Sequence, residues 1–188
     1  MKKREGEKII LGIDPGTTVT GYGLISVTGK TPSLIALGII DLRKKEDHFR
    51  KIRTIFEQTL ALIDQYHPDE FAIEAQFFGK NVQSMLKLGR AQGAAISAAL
   101  YRDLPVFEYA PRMIKMSITG RGQASKEQVA TMLRTILAFR GEKLVLDATD
   151  ALGAALCHFY QSARPASSGG SSGSWEAFVR NNSSRVKG

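Results

Sequence analysis

A single cysteine, Cys157, stands in 188 residues. No internal disulfide can form from it, and the expected compartment is a reducing one. No apolar run is long enough to span a bilayer as a helix. The charged start, Met1 to Lys8, leads into an apolar run too short for the core of a secretion signal, and no small-residue cleavage site follows it. The expected location is therefore the cytoplasm. Histidine is also scarce, and His48, His67 and His158 show no ligand spacing. His158 lies eight residues beyond Asp150, about two helical turns, so it is read as structural. Cys157 is read as packed in the last helix. The chain contains no internal repeat.

What is present is an ordinary globular composition, 43% hydrophobic and 23% charged, with a formal net charge of +8. The placement of that charge is informative. Residues 75–146 hold 11 Lys and Arg against 4 Asp and Glu, while the rest of the chain holds 15 against 14. One segment thus carries seven of the eight surplus charges. A localised basic surplus favours a polyanionic partner, DNA or RNA ahead of membrane, although a solubilising surface would look the same.

The pattern of apolar residues predicts strands at 9–13, 19–27 and 33–42, the last two joined by a turn at Gly29. Short connections make the three an antiparallel meander. The period then changes. Phe49, Ile52, Phe56, Leu60 and Ile63 step by three or four residues, as on one face of a helix, and Pro68 stops it. A strand follows at 70–74, then an Ala-rich helix at 81–101, with Gly89, Gly93, Ala94 and Ala98 on related faces. A strand is expected at 105–109, helices at 111–118 and 125–140, and a last helix from about Asp147 to Gln161. Ser125 with Gln128 three residues on is a capping-box pattern. The order fits an α/β domain with a mixed five-stranded sheet and helices on both faces. From Pro165 the composition becomes Ser/Gly-rich, so the expected division is a domain at 1–163 and a flexible tail at 164–188.

Four carboxylates stand at places where ligands gather. Asp14 ends the first strand, where its turn begins; ligands in open α/β sheets collect at such ends. Glu74 closes the apolar strand EFAIE, on the side of Ala72 rather than of Phe71 and Ile73. Asp147 and Asp150 share one face at the start of an apolar helix. Each has a plainer reading as well: a turn-forming Asp, a strand-end Glu reaching solvent, a helix cap and a first-turn acid. Together they offer an oxygen-only cage, which suits Mg²⁺ or Mn²⁺. Phosphodiester hydrolysis often uses two such ions about 4 Å apart.

Five segments carry a resemblance: ILGIDPGTTVTGYGLI, FAIEAQFFGKN, LKLGRAQGAAI, PVFEYAPRMIKMSITGRGQASKEQV and DATDALGAALCHF. In this order they resemble the bacterial RuvC Holliday-junction resolvases, over about residues 8 to 162. The resemblance implies an RNase H-like fold and a homodimer acting on four-way DNA junctions in recombination and repair. It also implies symmetric nicking of two opposed strands beside the RuvA–RuvB branch-migration machinery. Asp14, Glu74, Asp147 and Asp150 match the family's metal-binding acids, implying two Mg²⁺ ions per site, with Mn²⁺ an alternative. Phe77 matches an aromatic that stacks on junction bases. Lys115 and Lys126 match lysines near the DNA backbone. Lys80, Arg112 and Arg121 join them as expected DNA contacts from the basic segment. The resemblance further implies that the helix at 81–101 serves dimerisation, unless its small-residue face packs on the sheet.

Two rivals stand beside this reading. GIDPGTT also resembles the phosphate turn of actin–Hsp70-type ATPases, which need two related domains around a nucleotide. A non-catalytic junction-binding module would share the basic segment without using the acids.

Overall fold

The computed structural model describes residues 6–44, 47–76, 81–139 and 146–163. The expected tail, Phe77 and Lys80 lie outside the described residues. Five strands and five helices are described: β1 (Glu7–Asp14), β2 (Val19–Thr28), β3 (Thr31–Asp41), α1 (His48–Tyr66), β4 (Glu70–Glu74), α2 (Val82–Leu100), β5 (Val106–Tyr109), α3 (Pro111–Thr119), α4 (Lys126–Ile136) and α5 (Leu146–Ser162). The sheet order is β3-β2-β1-β4-β5. The meander β1–β2–β3 is antiparallel, whereas β4 runs parallel to β1 and β5 parallel to β4. This is the mixed, RNase H-like α/β arrangement expected from the sequence.

Both faces of the sheet are covered, which is why β1 reads as a continuous apolar run instead of an alternating one. Ile9, Leu11 and Ile13 face a core completed by α1 and α2, with Phe71 and Ile73 beside them. Ile10 faces the opposite core, with Ala72 beside it and Ile114, Val129, Leu133, Leu152 and Leu156 from α3, α4 and α5 above. Glu74 therefore projects toward α5, on the side of Ala72, as its strand parity predicts.

Sequence and structure part company at several places. The apolar stripe of α1 is rotated: Ile55, Thr59 and Ile63 are the buried positions, and Phe49 is 71% exposed. In α2 the small residues divide between two faces. Ala91, Ala94, Ala95, Ala98 and Ala99 pack inward, while Gly89 and Gly93 have open space where a Cβ would stand. Outward on the same helix, Val82, Leu86 and Leu100 are exposed. The α4 helix ends at Ile136 rather than near 140, because the chain turns at Ala138 (φ 50°) and lays Phe139 on the second core. The capping box of Ser125 and Gln128 is present. Finally, α5 begins at Leu146, so Asp147 sits within its first turn and is not its cap.

His158 and Cys157 are buried, as expected for structural residues. The Tyr109 hydroxyl lies 2.6 Å from His158 Nδ1, and His158 Nε2 lies 2.6 Å from Glu70 Oε2. Phe107 stacks on the imidazole at 4.2 Å, and Lys8 pairs with Glu70 at 2.5 Å. Burial holds the imidazole below its usual range, against the pull of Glu70. The group fastens the far end of α5 to β4 and β5.

Candidate active site

The β1–β2 turn presents Asp14 because its own polar groups are tied down. The Gly16 amide donates to Thr20 Oγ1 at 3.2 Å, and the Thr20 hydroxyl donates back to the Gly16 carbonyl at 3.1 Å. The Lys51 ammonium, from α1, donates to the Thr17 carbonyl at 3.0 Å. The Gly16 N–H is thus already committed, which weighs against a phosphate-cradling role for it.

Asp14 at the end of β1 meets Asp147 and Asp150 from the first turns of α5. Each offers one carboxylate oxygen, and the three oxygens lie within 4.8 Å of one another. None of the three side chains is fully buried. Glu74, at the end of the adjacent parallel strand, stands outside this tightest triad but is electrically part of the cluster. Burial pushes the Asp14 carboxyl up to about 8, and the charges of Glu74 and Asp150 push in the same direction. Burial and the Asp150 charge likewise push Glu74 up to about 7. Asp150 is raised by burial, opposed by its hydrogen bond to the Lys126 ammonium. Several carboxylates forced together against their own repulsion, with the nearby lysines opposing the shift only in part, form a donor set that fits divalent cations. The donor set is all carboxylate oxygen, with no His or Cys in the triad, a set that suits hard divalent cations.

A small cleft of about 120 Å³ opens beside the acids, lined by Glu74, Asp150, Lys115, Lys126, Pro111, Ile114 and Val129. It joins two of the acids to two of the expected lysines. The other basic candidates lie elsewhere. Arg112 lines a hollow of about 670 Å³ with Met113, Met116 and Tyr160, and its side chain covers Gly122. Arg121 lines another of about 480 Å³ with Thr119, Glu127 and Met132. Neither hollow includes an acid of the cluster. Phe77 and Lys80 are outside the described residues. The sequence reading missed the Lys51 clasp on the turn, and it gave no role to Gly12, Gly21 and Gly23, which lie beneath α5. The signal for two of them was glycine at alternate positions of β2, Gly21 and Gly23; Gly12, on β1, faces Gly23 across the sheet.

The family model for crossover junction endodeoxyribonuclease RuvC matches residues 10–158. The chain belongs to the RuvC family. Crossover junction endodeoxyribonuclease RuvC of Bacteroides fragilis is 61% identical over 183 residues, covering 96% of this chain and 97% of that one. The solved RuvC of Thermus thermophilus is 33% identical with a TM-score of 0.73, covering 82% of this chain and 95% of that one. A second structure holds T. thermophilus RuvC in complex with a Holliday junction substrate, at 30% identity and the same TM-score. The matched range, 10–158, spans the positions of the four acids and of both cleft lysines. Membership of the RuvC family sets aside the ATPase rival. Among the described residues, no helix is long and apolar enough to cross a membrane.

Proposed function

We propose that this RuvC-family chain is a structure-selective endonuclease that resolves Holliday junctions in recombination and repair. The observation that carries the reading is the carboxylate triad of Asp14, Asp147 and Asp150 at the sheet end, with Glu74 and two lysines in the adjoining cleft. The relative bound to a Holliday junction supports the choice of substrate. Asp14, Asp147 and Asp150, with Glu74 beside them, would hold two Mg²⁺ ions, or Mn²⁺ in their place. When bound, these ions supply the Lewis acidity that activates the attacking water and steadies the leaving 3′ oxygen.

The chain's own residues do the rest. Lys115 and Lys126 neutralise the phosphate beside the cut, and Lys126 exchanges its bond to Asp150 for the incoming phosphate. Arg112, Arg121 and Lys80 hold the flanking arms. Phe77 stacks against a base opened at the crossover, an interaction worth about 1–3 kcal/mol in stacking systems. Two copies nick two opposed strands symmetrically. The outward stripe of α2, with Val82, Leu86 and Leu100 exposed around open glycines, supports a homodimer through that helix. The enzyme works in the cytoplasm, beside RuvA–RuvB.

The test separates catalysis from binding. Asp14→Asn and Glu74→Gln should each abolish nicking of a synthetic junction in Mg²⁺, while junction binding in Ca²⁺ survives. Undiminished nicking by both variants would leave only the non-catalytic reading of these acids.

A further inference from the structure

The start of α5 rests on bare backbone. Gly12 of β1 and Gly23 of β2 are cross-strand partners, and Asp14 is the partner of Gly21. A Cβ on Gly12 would stand 2.1 Å from the Ala151 carbonyl oxygen. On Gly23 it would stand 2.7 Å from the Leu152 Cα. On Gly21 it would stand 2.0 Å from the Asp147 carbonyl oxygen and 2.6 Å from the Asp147 carbonyl carbon. In all three cases the obstacle is helix backbone, which cannot swing aside as a side-chain tip can. None of the three has a positive φ, unlike Gly29 and Gly120. Their lack of a side chain is required by space and not by backbone conformation. Gly38 is different, for its crowding comes from the hydroxyl end of Tyr22 at 2.5 Å.

We propose that Gly21, backed by Gly12 and Gly23, is a positioning residue that sets the height of Asp147 over β2 and hence its separation from Asp14. Gly21 alone is both the lateral partner of Asp14 and the floor beneath Asp147. Bringing its contact from 2.0 Å out to an ordinary 3.4 Å parts helix from strand by about 1.4 Å. Carboxylate bonds to Mg²⁺ or Mn²⁺ tolerate changes of only about 0.2 Å. A methyl group at position 21 therefore opens the acid cluster without touching any carboxylate. The inference rests on the cluster being a metal site, as read above.

The experiment is calorimetric titration of the full chain with Mn²⁺ alone, alongside far-UV circular dichroism and junction binding in EDTA. Gly21→Ala should keep its helical signal and bind junctions within a few-fold of wild type, yet bind Mn²⁺ about ten-fold more weakly or worse. Gly38→Ala should keep wild-type Mn²⁺ affinity. A folded Gly21→Ala with unchanged Mn²⁺ affinity overturns the proposal. Wild type that takes up no Mn²⁺ overturns the metal-site reading itself, a distinct result. Should Gly21→Ala fail to fold, amide exchange in wild type decides. Equal protection of residues 151–156 with and without Mn²⁺ supports a helix seated by the glycines; protection that appears only with Mn²⁺ overturns it.

Discussion

In metal-free protein, Asp14→Asn should stabilise the fold at alkaline pH while removing the nicking activity. The Asp14 carboxyl titrates near 3.8 in an unstructured chain and is raised to about 8 in the fold. The folded state therefore holds this proton more tightly than the unfolded state. Its contribution to stability is fully present below pH 3.8 and is lost as pH climbs through about 8. Each pKa unit is worth about 1.4 kcal/mol, so the ionised carboxylate costs at most about 6 kcal/mol. Asp14 is only partly buried, so water screens its charge, and about 2–3 kcal/mol is the expected difference at pH 9. For a domain of this size that is about 5–10 °C in melting temperature. The assay is a thermal melt of wild type and Asp14→Asn in EDTA at pH 4, 7 and 9. The two should melt together at pH 4, and the variant should melt higher at pH 9. Mg²⁺ at about one thousand times its Kd should reverse the order, since an ion binding only the folded wild type then adds about 4.1 kcal/mol. A variant less stable than wild type at pH 9 in EDTA, or stabilised equally by Mg²⁺, would refute the reasoning.

Four further outcomes are expected. Lys126→Ala should weaken junction binding and shallow the slope of log affinity against log salt by about 0.9, read by fluorescence anisotropy across salt concentrations. Phe77→Ala should bind junctions but cut them poorly, seen by comparing gel shift with cleavage; full cleavage would make the side chain mere packing. His158→Ala should cost about 2–4 kcal/mol in urea unfolding, because it strands the Tyr109 hydroxyl and leaves a cavity under Phe107, while Mn²⁺ affinity stays at the wild-type value. Leu86→Glu on the outward face of α2 should convert a dimer to a monomer, measured by sedimentation.

Strand and helix order was legible in the sequence because both faces of the sheet are covered and each helix shows its period. The parity of Glu74 followed from strand geometry alone, and His158 was correctly set aside as structural. The deeper burial of Ile55 and Thr59, in contrast, depends on how α1 rolls against α2, and periodicity tolerates a shift of one position. The split of α2 into buried alanines and open glycines was hidden for the same reason, since small residues of both kinds look alike until a partner surface exists. Of the acids, the convergence of Asp14 with Asp147 and Asp150 could be expected only from strand ends meeting a helix start. Their closeness depends on Gly12, Gly21 and Gly23, whose role is defined by what is missing between two backbones. The placement of Arg112 and Arg121 away from the acid-lined cleft was equally invisible, because net charge reports a segment and not a direction.

The most direct measurement is cleavage of a mobile synthetic four-way junction by the purified chain in Mg²⁺, beside linear duplex of the same sequences. Paired nicks on two opposed strands, with the duplex spared and Asp14→Asn inert, are the expected result. A junction left uncut in both Mg²⁺ and Mn²⁺ across a range of sequences would contradict the assignment of the acid cluster to junction resolution.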